Sequence, residues 1–159
     1  MKITKANVQQ VDQIAFIISE SNKDVAKKFN LTRENNPKHP SFYNKEWVLS
    51  DFDKGEEYFL AEDGGISVGC VAFEQPEKDI AYLNRLSVLP EYRHRGTGAS
   101  LVKFIIDHSR SKHIGVISIG IIVAHKVLKS WYADLGFVEG ETATFDHLPF
   151  DVTYMRFKL

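Results

Sequence analysis

Arg93-His94-Arg95-Gly96-Thr97-Gly98-Ala99 is the stretch of the chain best equipped for chemistry. It falls between an apolar run ending Leu86-Ser87-Val88 and a helical pattern beginning near Thr97, the location where unpaired backbone N–H groups and the helix dipole favour an anion. Without Cβ atoms, Gly96 and Gly98 can turn their amides inward around a pyrophosphate, and Arg93 and Arg95 add charge-assisted hydrogen bonds at its edges. A tight turn with two solvated arginines is the plainer alternative. Two other phosphate-binding patterns are excluded. A dinucleotide fold wants a third glycine where Leu101 stands and an acidic residue about 20 positions on, where the chain offers only the apolar run from Val116 to Val123. A Walker loop needs Gly-Lys-Ser/Thr after its spacer, and no such tripeptide occurs.

The elements around this loop follow from periodicity. Met1 to Lys5 reads as a short strand, and Val8, Val11, Ile14, Ile17 and Ile18 recur at helical spacing. Polar residues then take over, and Asn30 to Asn44, with Asn35-Asn36-Pro37-Lys38-His39-Pro40 at its centre, predicts a long ordered loop of the kind that carries function. Asn44 to Phe52 predicts a helix with Trp47 on its inner face. Tyr58 to Glu62 and Ile66 to Phe73 are β-rich runs joined by Asp63-Gly64-Gly65, a hairpin signal, and Pro76 to Asp79 marks a second turn before the strand Ala81 to Val88. The glycine loop leads into a helix through Leu101, Val102, Phe104, Ile105 and Ile106, with Arg110, Lys112 and His113 near its end and Gly115 as its stop. Val116 to Val123 reads as a central strand covered on both faces. Val127, Leu128, Trp131, Tyr132 and Leu135 share one helical face that Gly136 closes in the left-handed conformation. Phe137 to Phe145 and Val152 to Leu159 complete the order. The expected class is α/β in the α+β sense: a mixed, mostly antiparallel central sheet with helices on both faces, residues 1–159 forming one domain.

Composition narrows the partners. Lysine and arginine total 20 against 21 acidic residues, so no global field draws the chain to nucleic acid or to an anionic membrane. The single Cys70 can form neither an internal disulfide nor a thiolate metal site, which predicts no bound metal and fits a reducing cytoplasm. No basic segment followed by an apolar run opens the chain, and Val116 to Ala124 is about half of a membrane span; a soluble cytoplasmic protein is expected. The oligomeric state stays open, a homodimer included.

Two signatures together carry a family resemblance. Arg-x-x-Gly-x-Gly at Arg93–Gly98, after Leu86-Ser87-Val88-Leu89-Pro90-Glu91-Tyr92, resembles the acetyl-CoA loop of the GNAT N-acetyltransferases. Some thirty residues on, Leu128-Lys129-Ser130-Trp131-Tyr132-Ala133-Asp134-Leu135-Gly136-Phe137 is similar to that superfamily's second signature, a helix bearing a tyrosine and closing on Leu-Gly-Phe. The resemblance covers about two thirds of the chain, from Tyr58 onward, and is loose over residues 20 to 57. It implies that backbone amides of Arg93, His94, Arg95, Gly96, Thr97, Gly98 and Ala99 hold the CoA pyrophosphate. It also implies that the segment Leu86, Ser87 and Val88 lies along the pantetheine arm in a splay between two strands, Leu86 and Val88 pairing with it through their main chain. Tyr132 takes the place of the general acid that protonates the departing thiolate, a role a neutral phenol can fill, although a tyrosine on an apolar face also serves as core. Where the family often carries asparagine, seven residues before this tyrosine, the chain has His125, either a replacement contact to the cofactor or a helix-start residue.

The implied reaction is acetyl transfer from acetyl-CoA to the amine of a small molecule or peptide, by direct attack on the thioester. A catalytically silent CoA-binding module is the alternative, and a longer acyl donor a second. An arriving ammonium must lose a proton. Some relatives use a glutamate on the strand before the loop, but Tyr82-Leu83-Asn84-Arg85-Leu86 offers only Asn84 and Arg85. Transfer through water is therefore expected, with Glu74, His39 and His147 as further candidates for the base. The acceptor pocket is expected between Pro37–Phe42 and His147–Phe150, with Phe42, Tyr43 and Phe150 as apolar walls.

Overall fold

The computed structural model describes residues 1–159. Strand β1 (Lys2–Lys5) leads into α1 (Val11–Ser21), whose Val11, Ile14, Ile17 and Ile18 are buried as their spacing requires. A short helix α2 (Lys23–Lys28) follows. It was not expected, because its Lys-Asp-Val-Ala-Lys-Lys sequence has no apolar periodicity; contacts made elsewhere hold it. Residues 30–44 form turns and a single 3-10 turn at Pro40–Phe42, and Asn44 caps α3 (Lys45–Asp53) by accepting the Trp47 N–H at 3.0 Å. Val48 and Asp51, not Trp47, form the buried face of α3; Trp47 is half-buried, edge-on to Tyr43. The indole is one position off the stripe that faces α1.

Strands β2 (Glu57–Asp63), β3 (Ile66–Glu77) and β4 (Ile80–Val88) form an antiparallel meander. Pro76 lies inside β3 at its polar outer end, so the second turn tightens to Lys78 and Asp79. Helix α4 (Thr97–Ser111), strand β5 (Val116–Ile122), helix α5 (Lys126–Asp134) and strands β6 (Val138–Ala143) and β7 (Val152–Lys158) complete the chain. The sheet has seven strands in the order β1-β2-β3-β4-β5-β7-β6, antiparallel except for β4 and β5. Helices α1 and α3 cover one face through Ile14, Ile17, Ile18, Val48, Tyr58 and Leu60; α4 and α5 cover the other through Leu101, Ile105, Ile117, Tyr132 and Phe137. No helix is long and apolar enough to cross a membrane.

Two strand irregularities create the site. Cys70 pairs with Ser87 but Ala72 pairs with Asn84, so β4 carries one extra residue, and Arg85 takes the left-handed conformation at φ 51°. Such a bulge bends and over-twists its strand. The parallel pairing of β4 with β5 is confined to Ile80–Tyr82 against Val116–Ser118; beyond it the strands part. Consequently β5 is not covered on both faces: Ile117, Ile119 and Ile121 are buried, while Val116, Ser118, Gly120 and Ile122 are partly open and, with Ile119 and Ile121, line a cleft.

Two helix ends also differ from expectation. The left-handed residue that ends α4 is His113 at φ 58°, not Gly115. Gly115 is needed for space, since a Cβ there would lie 2.6 Å from the Asp79 carboxylate. On α5, Val127 is 71% exposed rather than part of the packed face. Gly136 does end α5 at φ 104°, and a Cβ there would also lie 2.9 Å from the Phe157 ring. Gly136→Ala is accordingly expected to lower stability by about 1–3 kcal/mol, read by urea unfolding.

Candidate active site

The glycine loop presents an array of free donors. The Arg93 N–H bonds to Pro90 O at 3.3 Å, and the Ser100 N–H to Gly96 O at 3.0 Å; between them, from His94 to Ala99, no main-chain N–H has a partner in the protein. His94 (φ 62°) and Gly96 (φ 83°) are both left-handed, the kind of local geometry that gathers successive amides into an anion-binding concavity. With the N-terminus of the long α4 directly behind it, the array has the geometry and polarity that suit a phosphate or diphosphate. Gly98 serves packing, because a Cβ there would lie 3.3 Å from the Trp131 ring of α5.

Arg93 departs from expectation. Its Nη1 pairs with Asp24 at 2.6 Å, its Nη2 donates to Ser21 O at 2.6 Å, and its Nε to Val88 O at 3.3 Å. The guanidinium thus braces the C-terminus of α1 and the start of α2 instead of pointing at an anion, and this tie fixes α2 in place. Arg95 stacks over Tyr92, 5.2 Å from the ring centroid.

Beyond the loop, the parted strands border a cleft of about 830 Å³. Leu86 lines it; Ser87 is buried, its Oγ donating to Arg85 O at 3.0 Å. Tyr132 reaches it from α5 with 5% of its surface exposed. Burial pushes the phenol well above its ordinary value, so it is neutral, and its hydroxyl has no protein partner. His125, at the start of α5, also lines the cleft; its Nδ1 is buried with no hydrogen-bond partner, and its ring meets Phe29 at 5.5 Å. A buried orphan nitrogen beside a cleft is costly unless a ligand satisfies it. Leu86 gives this part of the cleft an apolar wall, and the Tyr132 hydroxyl and the His125 Nδ1 are isolated polar atoms beside it without protein partners.

At the other end, the strand bulge holds a polar cluster. Arg85 pairs with Glu56, lies 3.4 Å from Asp51, and donates from Nε to Tyr58 Oη at 2.8 Å. Tyr58 and Tyr43 both donate to Asp51, at 2.7 and 2.5 Å. Asn84 Nδ2 donates to Glu56 at 3.0 Å and to Glu74 at 2.9 Å. Burial holds the Glu56 carboxyl above its usual range against the opposing pull of Arg85. An arginine in the middle of an apolar strand signals that acids must surround it, but nothing local identifies Asp51 and Glu56 as those acids.

The remaining candidates separate. His39 lines the cleft, but its Nδ1 is engaged by Ser41, 2.8 Å from Oγ and 3.2 Å from the backbone N, so this nitrogen is tied to its own turn. Glu74 lies behind Asn84. His147 lines the cleft, as do Pro40, Leu148 and Phe150, so the two expected segments do meet around it. Phe42 and Tyr43 are not its walls. Phe42 sits under Arg33 at 4.5 Å and Tyr43 is held by Asp51; Tyr82, Tyr154 and Phe145 line the cleft instead. Burial raises the Cys70 thiol to about 12, so it is inert.

His39 and His125 are both held below the ordinary imidazole value by burial. Their contribution to stability is therefore present above about pH 6.5 and is lost as pH falls through the folded values, because the unfolded chain takes up protons first. Tm measured from pH 8 to 5 is expected to fall, with a shallower fall in His125→Asn; parallel curves would remove His125 from that linkage.

The sequence profile described as the acetyltransferase (GNAT) family matches residues 22–137, and the chain belongs to that family. An uncharacterized N-acetyltransferase of Methanocaldococcus jannaschii is 26% identical over 101 residues, a match covering 60% of this chain and 44% of that relative; this chain thus aligns with less than half of the relative's length. Among solved structures, the PaiA N-acetyltransferase of Thermoplasma acidophilum in complex with coenzyme A superposes with a TM-score of 0.79 at 19% identity, covering 99% of this chain and 98% of that one. The ribosomal-protein-S18-alanine N-acetyltransferase of Escherichia coli gives 0.77 at 15%, covering 99% and 92%. A GNAT family acetyltransferase of Elizabethkingia anophelis with acetyl-CoA bound gives 0.63 at 17%, covering 73% and 84%. At these identities the likeness establishes the fold.

Proposed function

We propose that residues 1–159 act as one acetyltransferase unit that binds acetyl-CoA and transfers its acetyl group to a primary amine of a small molecule or a peptide N-terminus. The observations that carry this are the run of unpartnered N–H groups from His94 to Ala99, reached directly after β4, and the cleft that Leu86 of the same strand and Tyr132 line where β4 and β5 part. The loop amides suit the pyrophosphate, while Leu86, Ser87, Val88 and His125 suit the pantetheine arm. Arg95 and His94 stand at the loop's edge. Arg93 contributes by positioning, since its side chain is engaged by Asp24 and Ser21.

Acetyl-CoA supplies an activated acyl carbon and a thiolate leaving group. The amine lone pair forms the new C–N bond, the C–S bond breaks, and the sulfur takes the proton of Tyr132 Oη. The proton lost by the attacking nitrogen leaves through water, and the phenol is restored from solvent. Tyr132 holds its proton at neutral pH, and the thiolate forming beside it is the charge that draws that proton away.

Incubation with acetyl-CoA and a panel of amines and free-N-terminal peptides, followed with a thiol-reactive dye, is expected to release CoA only when an amine is present. Tight CoA binding with no release across the panel would leave a silent binding module, and preferential use of a longer acyl-CoA would change the donor.

A further inference from the structure

Asn84 is held in one orientation. An ionised carboxylate only accepts hydrogen bonds, so both carboxylate contacts must come from the amide nitrogen, which donates to Glu56 Oε1 at 3.0 Å and to Glu74 Oε1 at 2.9 Å. Reversing the amide would set its oxygen against two carboxylate oxygens. With both N–H groups engaged, Oδ1 remains as a pure acceptor. Neither glutamate lines the cleft but Asn84 does, and with Nδ2 engaged by both carboxylates, Oδ1 is the polar atom of this side chain left free for a ligand. Glu56 is itself fixed by Arg85, which is anchored by Tyr58 and Asp51; the acceptor atom thus rests on a locked support.

Its place in the sheet gives the oxygen a task. Tyr82 and Ser118 form the last pair before β4 and β5 part, and Asn84 is the next β4 residue on the same face. It stands at the fork, the far end of the cleft from the phosphate loop, and Glu56 and Glu74 behind it favour an approaching cation.

Resting on the acetyltransferase reading above, we propose that Asn84 Oδ1 binds the acceptor nitrogen by accepting one of its N–H bonds and so selects primary amines. A primary amine loses one proton during acetylation and keeps another, so its hydrogen bond to Asn84 survives from the bound amine through to the amide product. An N-methylated amine gives up its last N–H as the amide forms, and the buried-side oxygen is left unpaired as the barrier is crossed.

The test uses matched pairs: benzylamine with N-methylbenzylamine, and an N-terminal alanine peptide with its N-methylalanine counterpart. Steady-state kcat/KM is measured for the wild type and for Asn84→Ala, alongside CoA affinity by calorimetry. The wild type is expected to prefer the primary member at least about tenfold, and Asn84→Ala to bring the ratio to within about twofold of one with unchanged CoA affinity. Glu74→Gln, whose side-chain oxygen still accepts from Asn84, is expected to keep the preference. A wild type without preference, or a variant with the wild-type ratio, overturns the proposal, and the first of these does so even should Asn84→Ala not fold. Absence of CoA binding, or binding with no CoA release from any panel member, sinks the acetyltransferase reading instead, and calorimetry and the release assay detect these separately.

Discussion

Gly96→Glu is expected to lower the affinity for CoA by about two orders of magnitude or more, with the far-UV circular dichroism of the wild type retained. Two effects combine. Gly96 is left-handed at φ 83° with nothing within 4 Å of the position of a Cβ, so a side chain fits without collision and the structural cost is confined to backbone strain of roughly 1–2 kcal/mol. The larger effect is electrostatic, because a carboxylate at the centre of the His94–Ala99 amide array would face the pyrophosphate, and like charges juxtaposed in a binding site cost several kcal/mol. Gly96→Ala separates the two: it carries the strain without the charge and is expected to lose far less affinity. Calorimetric titration of all three proteins with CoA is the measurement, and equal affinities across them would place the diphosphate elsewhere.

Tyr132→Phe is expected to lower kcat by about 10²- to 10⁴-fold, the usual range for a positioned general acid, while changing CoA affinity by less than about twofold. The separation is sharp here because the hydroxyl has no protein partner: its removal breaks no internal hydrogen bond, and the ring keeps its edge contacts with Trp131 and Phe137 at 4.9 and 5.3 Å. A variant with wild-type kcat would reduce Tyr132 to a core residue. A variant with wild-type kcat and a fallen Tm would make that assignment positive.

The two signatures were legible because each is local. Arg93 to Ala99 and Leu128 to Phe137 are continuous segments whose function depends on main-chain conformation, and glycine at 96 and 136 reports a left-handed φ directly. Periodicity located every strand and all the longer helices for the same reason. It failed at α2, whose six residues carry no apolar stripe and are held by Arg93 from 69 positions away. It failed again at Val116 to Ile122, where an apolar run that reads as a covered strand is apolar on one face for the core and on the other for a cleft.

What the sequence determined by itself was thus the order of the strands and longer helices, the family, and the left-handed turns at Gly96 and Gly136. Tertiary structure alone decided which charges met. Arg85 finds Glu56 and Asp51 because α3 and β2 bring acids beneath the β4 bulge, and Asn84 is aimed by Glu56 and Glu74 from two separate elements. It also decided that Arg93 braces helices rather than phosphate, and that His39 Nδ1 is tied to Ser41. Local conformation is written in neighbouring residues; the direction in which a polar side chain points depends on the donors and acceptors around it, and those arrive only when distant strands pair.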